Sequence, residues 1–241
     1  MTLLPEGASQ YLNPPDGLET PAASQDAPLP VIAEKPDAAA LIFLEHQAFL
    51  DKLAMRREAN NLCALTVLRL DILSWAQTHE QPLDLSQLTA RAAEICRQQL
   101  PHDTLAGLYG LHSFMFFHPN LTGDAALTLY RPLAQAIKET LNIDCACGIS
   151  TYPYLDYRQS DLIENCRKAL AYAMLLPDLK VGVFNSLALN ISADKLFSQG
   201  DPFEAIQEYK QALLADENNS MAWISLGVCL AGIGRKNDAR V

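Results

Sequence analysis

The spacing of apolar residues divides the chain into three stretches. Residues 1–36 show no period. From Asp37 the pattern alternates between helical and strand-like spacing. In "DAAALIFLEHQAFLDKLAMRREANN" apolar residues fall at 42, 43, 49, 50, 53 and 55, a helical pattern with its basic residues late. "CALTVLRLDIL" (63–73) is apolar and partly β-branched, a strand, and "LSQLTARAAEICRQQL" (85–100) is a helix. "LYGLHSFMFFHP" (108–119) places two β-friendly runs around a glycine-containing break, which predicts a hairpin with His112 and Ser113 in its turn. A helix over 125–141, with a break at Pro132, and a strand over 143–153 follow. Next come a helix over 160–176, capped by Ser160 and stopped by Pro177, and a short strand over 180–185. The order α-β-α-β-β-α-β-α-β predicts an α/β sandwich, one sheet with helices packed on it.

From Ser186 the strand signals stop and a repeat begins. At a spacing of 34, Leu189 matches Trp223, Ser192 matches Leu226, Ala193 matches Gly227, Leu196 matches Leu230, Gly200 matches Gly234 and Ala205 matches Ala239. This register resembles the tetratricopeptide repeat, a helix-turn-helix unit. The predicted organisation is one full repeat over 186–219 and a second, truncated one over 220–241, an all-α helical hairpin segment. A lone hairpin cannot bury its apolar face, so the sequence reads as part of a longer protein. The helix over 221–233 is expected to bury Trp223 and Leu226 against the helix over 203–215.

Composition narrows the functions open to such a chain. A net charge of −10, from 18 Lys+Arg against 28 Asp+Glu, disfavours nucleic acid and anionic membrane surfaces as partners. No basic start followed by an apolar run opens the chain, and no apolar stretch reaches the ~20 residues of a membrane helix, so the expectation is a cytoplasmic protein without membrane insertion. Residues 1–36 hold seven of the 14 prolines and a clear acidic excess, the composition of a disordered leader. The six cysteines lie scattered in apolar segments. Cys145 and Cys147 share one strand face, but with no CxxC or nearby histidine they read as buried thiols rather than a zinc site.

Taken in order, strand "ALTVLRLDILSW", hairpin "GLYGLHSFMFFHP", strand "CACGIS" and helix "DLIENCRKALAYAM" resemble a GGDEF domain, over residues 37–185. The resemblance implies a ferredoxin-like α/β sandwich and a descent from enzymes that make cyclic di-GMP from two GTP molecules. It also implies where their working residues would fall. The first metal-binding aspartate falls on Arg69 and the second on Asp71. The Phe-Lys pair falls on Leu73-Ser74, and the guanine-contacting asparagine on Gln77. The hairpin signature falls on Gly110-Leu111-His112-Ser113-Phe114, which keeps only the first glycine and the phenylalanine. In the late helix the Ala-Asp pair falls on Cys166-Arg167, the tyrosine on Ala171 and the phosphate-binding lysine on Met174. The following Gly-x-Asn is Pro177-Asp178-Leu179. The inhibitory Arg-x-x-Asp before the hairpin meets Pro101 and Thr104.

Phosphoryl transfer depends on positioning and on cations that neutralise phosphate charge, and magnesium takes carboxylate oxygens. Arg69 cannot ligate a metal, Ser113 is a weak ligand, Leu111 crowds a turn that two glycines keep open, and Met174 removes a cation. The expectation from these exchanges is a degenerate site, not an enzyme, with no catalytic residue, cofactor or metal. His112 next to Ser113 makes no dyad, because adjacent side chains rarely aim at each other. His46, His79, His102 and His118 read as solvated surface groups.

The leading functional expectation is therefore a catalytically inactive signalling scaffold. It would bind a protein partner in the repeat groove through Asn190, Asp194 and Phe197 of the first repeat and Met221, Ile224 and Val228 of the second, with a homodimer left open. The alternative is a receptor for GTP or cyclic di-GMP without turnover, using Asp71, Gln77 and Asp84; a working diguanylate cyclase ranks third.

Overall fold

A computed structural model describes residues 42–78, 84–235 and 238–239. The expected leader, 1–36, and His79 lie outside them. A six-stranded mixed sheet forms the centre. Its strands are β1 (Phe43–Leu44), β2 (Cys63–Leu70), β3 (Leu105–Gly110), β4 (Ser113–Pro119), β5 (Cys145–Tyr152) and β6 (Lys180–Val183), in the spatial order β1-β3-β4-β2-β5-β6. β2 runs antiparallel to both β4 and β5, and β6 runs parallel to β5. The helices are α1 (His46–Glu58), α2 (Ile72–Thr78), α3 (Leu85–Gln99), α4 (Gly123–Leu141) and α5 (Leu162–Ala173). β2, β3, β4 and β5, with their intervening helices, make the ferredoxin-like βαββαβ arrangement.

The apolar runs are continuous because both sheet faces are covered. Along β4, Phe114 and Phe116 enter a core with α3 and α4, while Met115 and Phe117 enter a second core with α1 and α5. β2 splits the same way, Ala64 and Leu68 to one side, Leu65 and Val67 to the other. The seat of α5 requires a glycine. A Cβ on Gly148 of β5 would stand 2.3 Å from both the Cys166 carbonyl oxygen and the Leu170 nitrogen, so the α5 backbone lies directly on the strand.

Three local expectations are corrected. The segment read as one helix from Asp37 opens with β1 and becomes helical at His46, because Phe43 is drawn into the sheet beside Ala106. α4 runs through Pro132 without ending. Ser160 does not cap α5: a short 3-10 turn over Gln159–Asp161 precedes the helix, and the Ser160 hydroxyl donates to Asp161 Oδ1 at 3.0 Å.

Past Val183 the described residues form helices and no strand: α6 (Ser186–Ser198), α7 (Pro202–Ala215) and α8 (Ser220–Gly232). α6 and α8 begin 34 residues apart under the same cap. Asn185 Oδ1 accepts from Ala188 N, and Asn219 Oδ1 accepts from Ala222 N, each at 3.0 Å. Gly200 and Gly234, at the same interval, both hold φ at +85°, a conformation that favours glycine. Ala193, Ala205, Ile206, Tyr209, Leu226 and Leu230 form the interior of the three helices. A further cluster joins them to the α/β body through Ala169 of α5, Phe184, Ala188, Leu189, Ala212 and Ala222. The largely buried Lys168–Glu208 ion pair bridges α5 and α7 at this junction. Leu226 is buried as expected. Trp223 is 38 % exposed instead, its indole N–H donating to the Glu217 carbonyl at 2.9 Å. It borders an open apolar groove of about 430 Å³ with Ile224, Gly227, Val228, Ala231 and Ala239.

Candidate functional site

The topology gathers most of the sequence-predicted positions at one end of the sheet. β2 ends where β5 begins, with Leu70 opposite Cys145, and β6 begins beside them, with Lys180 opposite Ala146. β4 starts there too, placing Ser113 directly across the ladder from Arg69. By strand alternation Arg69 and Ser113 lie on the face covered by α5. The hairpin turn is tied to β2 by Leu70 N–H donating to the His112 carbonyl at 3.0 Å. It is tied to α3 by the Thr89 hydroxyl donating to the Leu111 carbonyl at 2.8 Å.

Arg69, Asp71, Gly110, Leu111, His112, Ser113 and Met174 thus share one end of the fold. The Arg69 guanidinium meets the Met174 sulfur at the end of α5. Ser113 is buried, His112 half-buried, Gly110 and Leu111 exposed. Space is open in front of Gly110: a Cβ built there meets nothing within 4 Å. Burial and the neighbouring Arg69 charge both lower the His112 pKa. Gln77 is exposed near the end of α2, and Asp84 is occupied as the α3 cap, accepting from Gln87 N at 3.0 Å.

Asp71 is bound into the fold. It caps α2, accepting from Ser74 N at 3.2 Å and from the Ser74 hydroxyl at 3.0 Å. Its other partner is the ammonium of Lys180 at 3.2 Å. Burial pushes this carboxyl upward, but the Ser74 hydrogen bonds and Lys180 outweigh it and hold the pKa below the usual value. Sequence reasoning missed Lys180, and also the neighbouring Lys138–Asp144 pair at 2.9 Å. The available signal was positional: the first residue of a strand parallel to β5 must lie beside the end of β2. Among the described residues no three His, Cys, Asp or Glu side chains converge. An aspartate held by lysine beside an arginine is a donor set that does not fit a divalent cation.

One histidine expectation is corrected. His118 is a core residue, 3 % exposed, not a solvated one. Its Nε2 lies 2.7 Å from the Tyr130 hydroxyl on α4 and its Nδ1 3.2 Å from the Thr104 hydroxyl. Burial pulls its pKa down to about 4, against a weaker upward pull from Asp103.

The expected partner-binding residues divide. Phe197, Met221, Ile224 and Val228 are exposed. Asn190 is buried, donating to Asp194 Oδ2 at 3.0 Å, and Asp194 also accepts from the Tyr209 hydroxyl at 2.7 Å. These two side chains tie α6 internally and to α7. A cavity of about 650 Å³, with Arg57, Tyr152 and Arg158 in its wall, lies at the opposite end of β5 and is not part of this site. Among the described residues no helix is long and apolar enough to cross a membrane.

No protein-family model matches the chain, and no curated protein does. Solved structures do. The GGDEF domain of DgcB from Caulobacter crescentus, in complex with c-di-GMP, matches at 15% identity over 62% of this chain and 98% of that one, with a TM-score of 0.50. Vibrio cholerae LapD S helix-GGDEF-EAL, bound to c-di-GMP, matches at 12% identity over 60% of this chain and 36% of that one, with a TM-score of 0.51. The active GGEEF domain of a diguanylate cyclase from Vibrio cholerae matches at 15% identity over 59% and 97%, with a TM-score of 0.49. The expectation that the chain is not an enzyme does not stand: its fold is that of the GGDEF domains of DgcB and LapD, and the exchanges at Arg69, Leu111, Ser113 and Met174 do not by themselves establish a loss of activity. The chain carries the mixed α/β fold of GGDEF domains.

Proposed function

We propose that this chain is a signalling protein in which a GGDEF-type domain, 37–185, carries tetratricopeptide-type helices, 186–241, that dock a protein partner. The observation that carries this reading is the 34-residue recurrence of structure. α6 and α8 share the same asparagine cap, and Gly200 and Gly234 the same left-handed backbone. Repeats of this kind stack on neighbours and leave one helix face for a ligand. On α8 that face holds Met221, Ile224 and Val228, which are 61, 68 and 55 % exposed. Their spacing of three and four places them along one stripe. The test is a full-length chain with all three changed to serine. A partner that co-purifies with the native protein, and that binds again when the two are mixed in purified form, should be lost from the variant while its circular dichroism is unchanged. Undiminished binding by the variant would refute the assignment.

A second reading is favoured by Lys180, which places a second cation in the register row of Arg69, across Ala146 of β5. Here the end of the sheet binds a nucleotide of the GTP or cyclic di-GMP class. Titration of the purified protein with each compound tests it, and chromatography of a GTP incubation establishes whether cyclic di-GMP forms.

A further inference from the structure

The cations at the end of the sheet are not equally neutralised. Lys180 faces Asp71 at 3.2 Å and Lys138 faces Asp144 at 2.9 Å. Arg69 is half-buried, and among the described residues its guanidinium meets the uncharged sulfur of Met174 and neighbours His112 but pairs with no carboxylate. Leaving a partly desolvated cation without a counter-charge is costly, and an incoming anion relieves the cost. Geometry leaves room for one, since the volume before Gly110 is open and the Ser113 hydroxyl sits on the strand position opposite Arg69. A guanidinium presents a planar fork of N–H donors that matches phosphate oxygens.

We propose, resting on the nucleotide-binding reading, that Arg69 binds the phosphate of a ligand directly, with Lys180 as a second cation, and that this binding needs no divalent metal ion. The charge that a metal would bring is already built into the strand. The Asp71 carboxylate neutralises Lys180 and repels an incoming anion, so it restrains anion binding rather than assisting it.

The experiment is calorimetric titration of the full chain with GTP, cyclic di-GMP and inorganic phosphate, each in EDTA and in excess Mg²⁺. At least one ligand should bind in EDTA with an affinity within about twofold of that in Mg²⁺. The three ligands separate recognition of a nucleotide from recognition of free phosphate. Arg69→Gln should weaken binding by about tenfold or more, the effect of losing one charge-assisted contact. Arg69→Lys should recover part of it. Asp71→Asn keeps a residue able to cap α2 and frees Lys180, and should tighten binding several-fold. Binding that requires Mg²⁺, or that is indifferent to Arg69→Gln in a variant of native circular dichroism, would overturn the proposal and leave the nucleotide reading standing. Absence of binding by all three ligands in both buffers would overturn the nucleotide reading itself.

Discussion

The α/β body and the helical segment bury their apolar residues by different rules. In the body, β2 and β4 are covered on both faces, and residues far apart in sequence complete each core: Leu68, Phe114 and Tyr130 share one, and Leu65, Phe117 and Phe49 the other. In the segment, each helix packs mainly on its chain neighbours, and Phe203, Leu214, Met221, Ile224 and Val228 stay exposed. A closed sandwich saturates its apolar surface, whereas a stack leaves a face at each end. The difference leaves two kinds of surface. At the end of the sheet, charges are held by register; along α8, an apolar stripe stays exposed.

The comparison is broken most severely at Gly148. Alanine there meets backbone atoms of α5, which no rotamer change relieves, so Gly148→Ala should destabilise the whole body by about 3 kcal/mol or more. Urea unfolding checks this.

His118 sharpens the contrast through pH. Its folded pKa, about 4, lies below its ordinary 6.5, so the unfolded chain takes up the proton first on acidification. Its contribution is complete above about pH 6.5 and is lost as pH falls towards 4, amounting to about 3 kcal/mol across that window. His118→Gln should be less stable at pH 7 and should show a flatter stability profile between pH 6.5 and 4, measured by thermal melts across pH.

The junction is tested by Lys168→Met, which leaves Glu208 largely buried without its partner and should cost about 2 kcal/mol. The double variant with Glu208→Leu should regain most of that. If body and helices unfold together, one transition shifts; two separate transitions in a thermal melt would show that the junction does not couple them.

The smallest effect is expected at Gly200. Its φ of +85° disfavours a side chain although the space around it is open, so Gly200→Ala should cost about 1 kcal/mol. Urea titration of the full chain resolves a change of that size.

Local signals carried much of this architecture. The "LYGLHSFMFFHP" hairpin was legible because its alternation and glycine are local, and the 34-residue spacing of Gly200 and Gly234 because both glycines meet the same local demand, a φ of +85°. Other residues were not legible. β1 is two residues long and takes its strand character from pairing with β3. Trp223 matches Leu189 in register, yet Leu189 is buried under the body while Trp223 borders a groove. Nothing near His118 in sequence announces that Thr104 and Tyr130 will meet it.

What the sequence determined by itself was the succession of elements, the 34-residue period and the identity of the residues at the hairpin. These follow from backbone propensity, capping chemistry and turn sterics, all of which act within a few residues. Only the tertiary structure decided that Lys180 neutralises Asp71, that Arg69 ends against a sulfur, and that His118 is dry. Charge pairing and desolvation depend on distance in space, and strand order brings together residues more than a hundred positions apart.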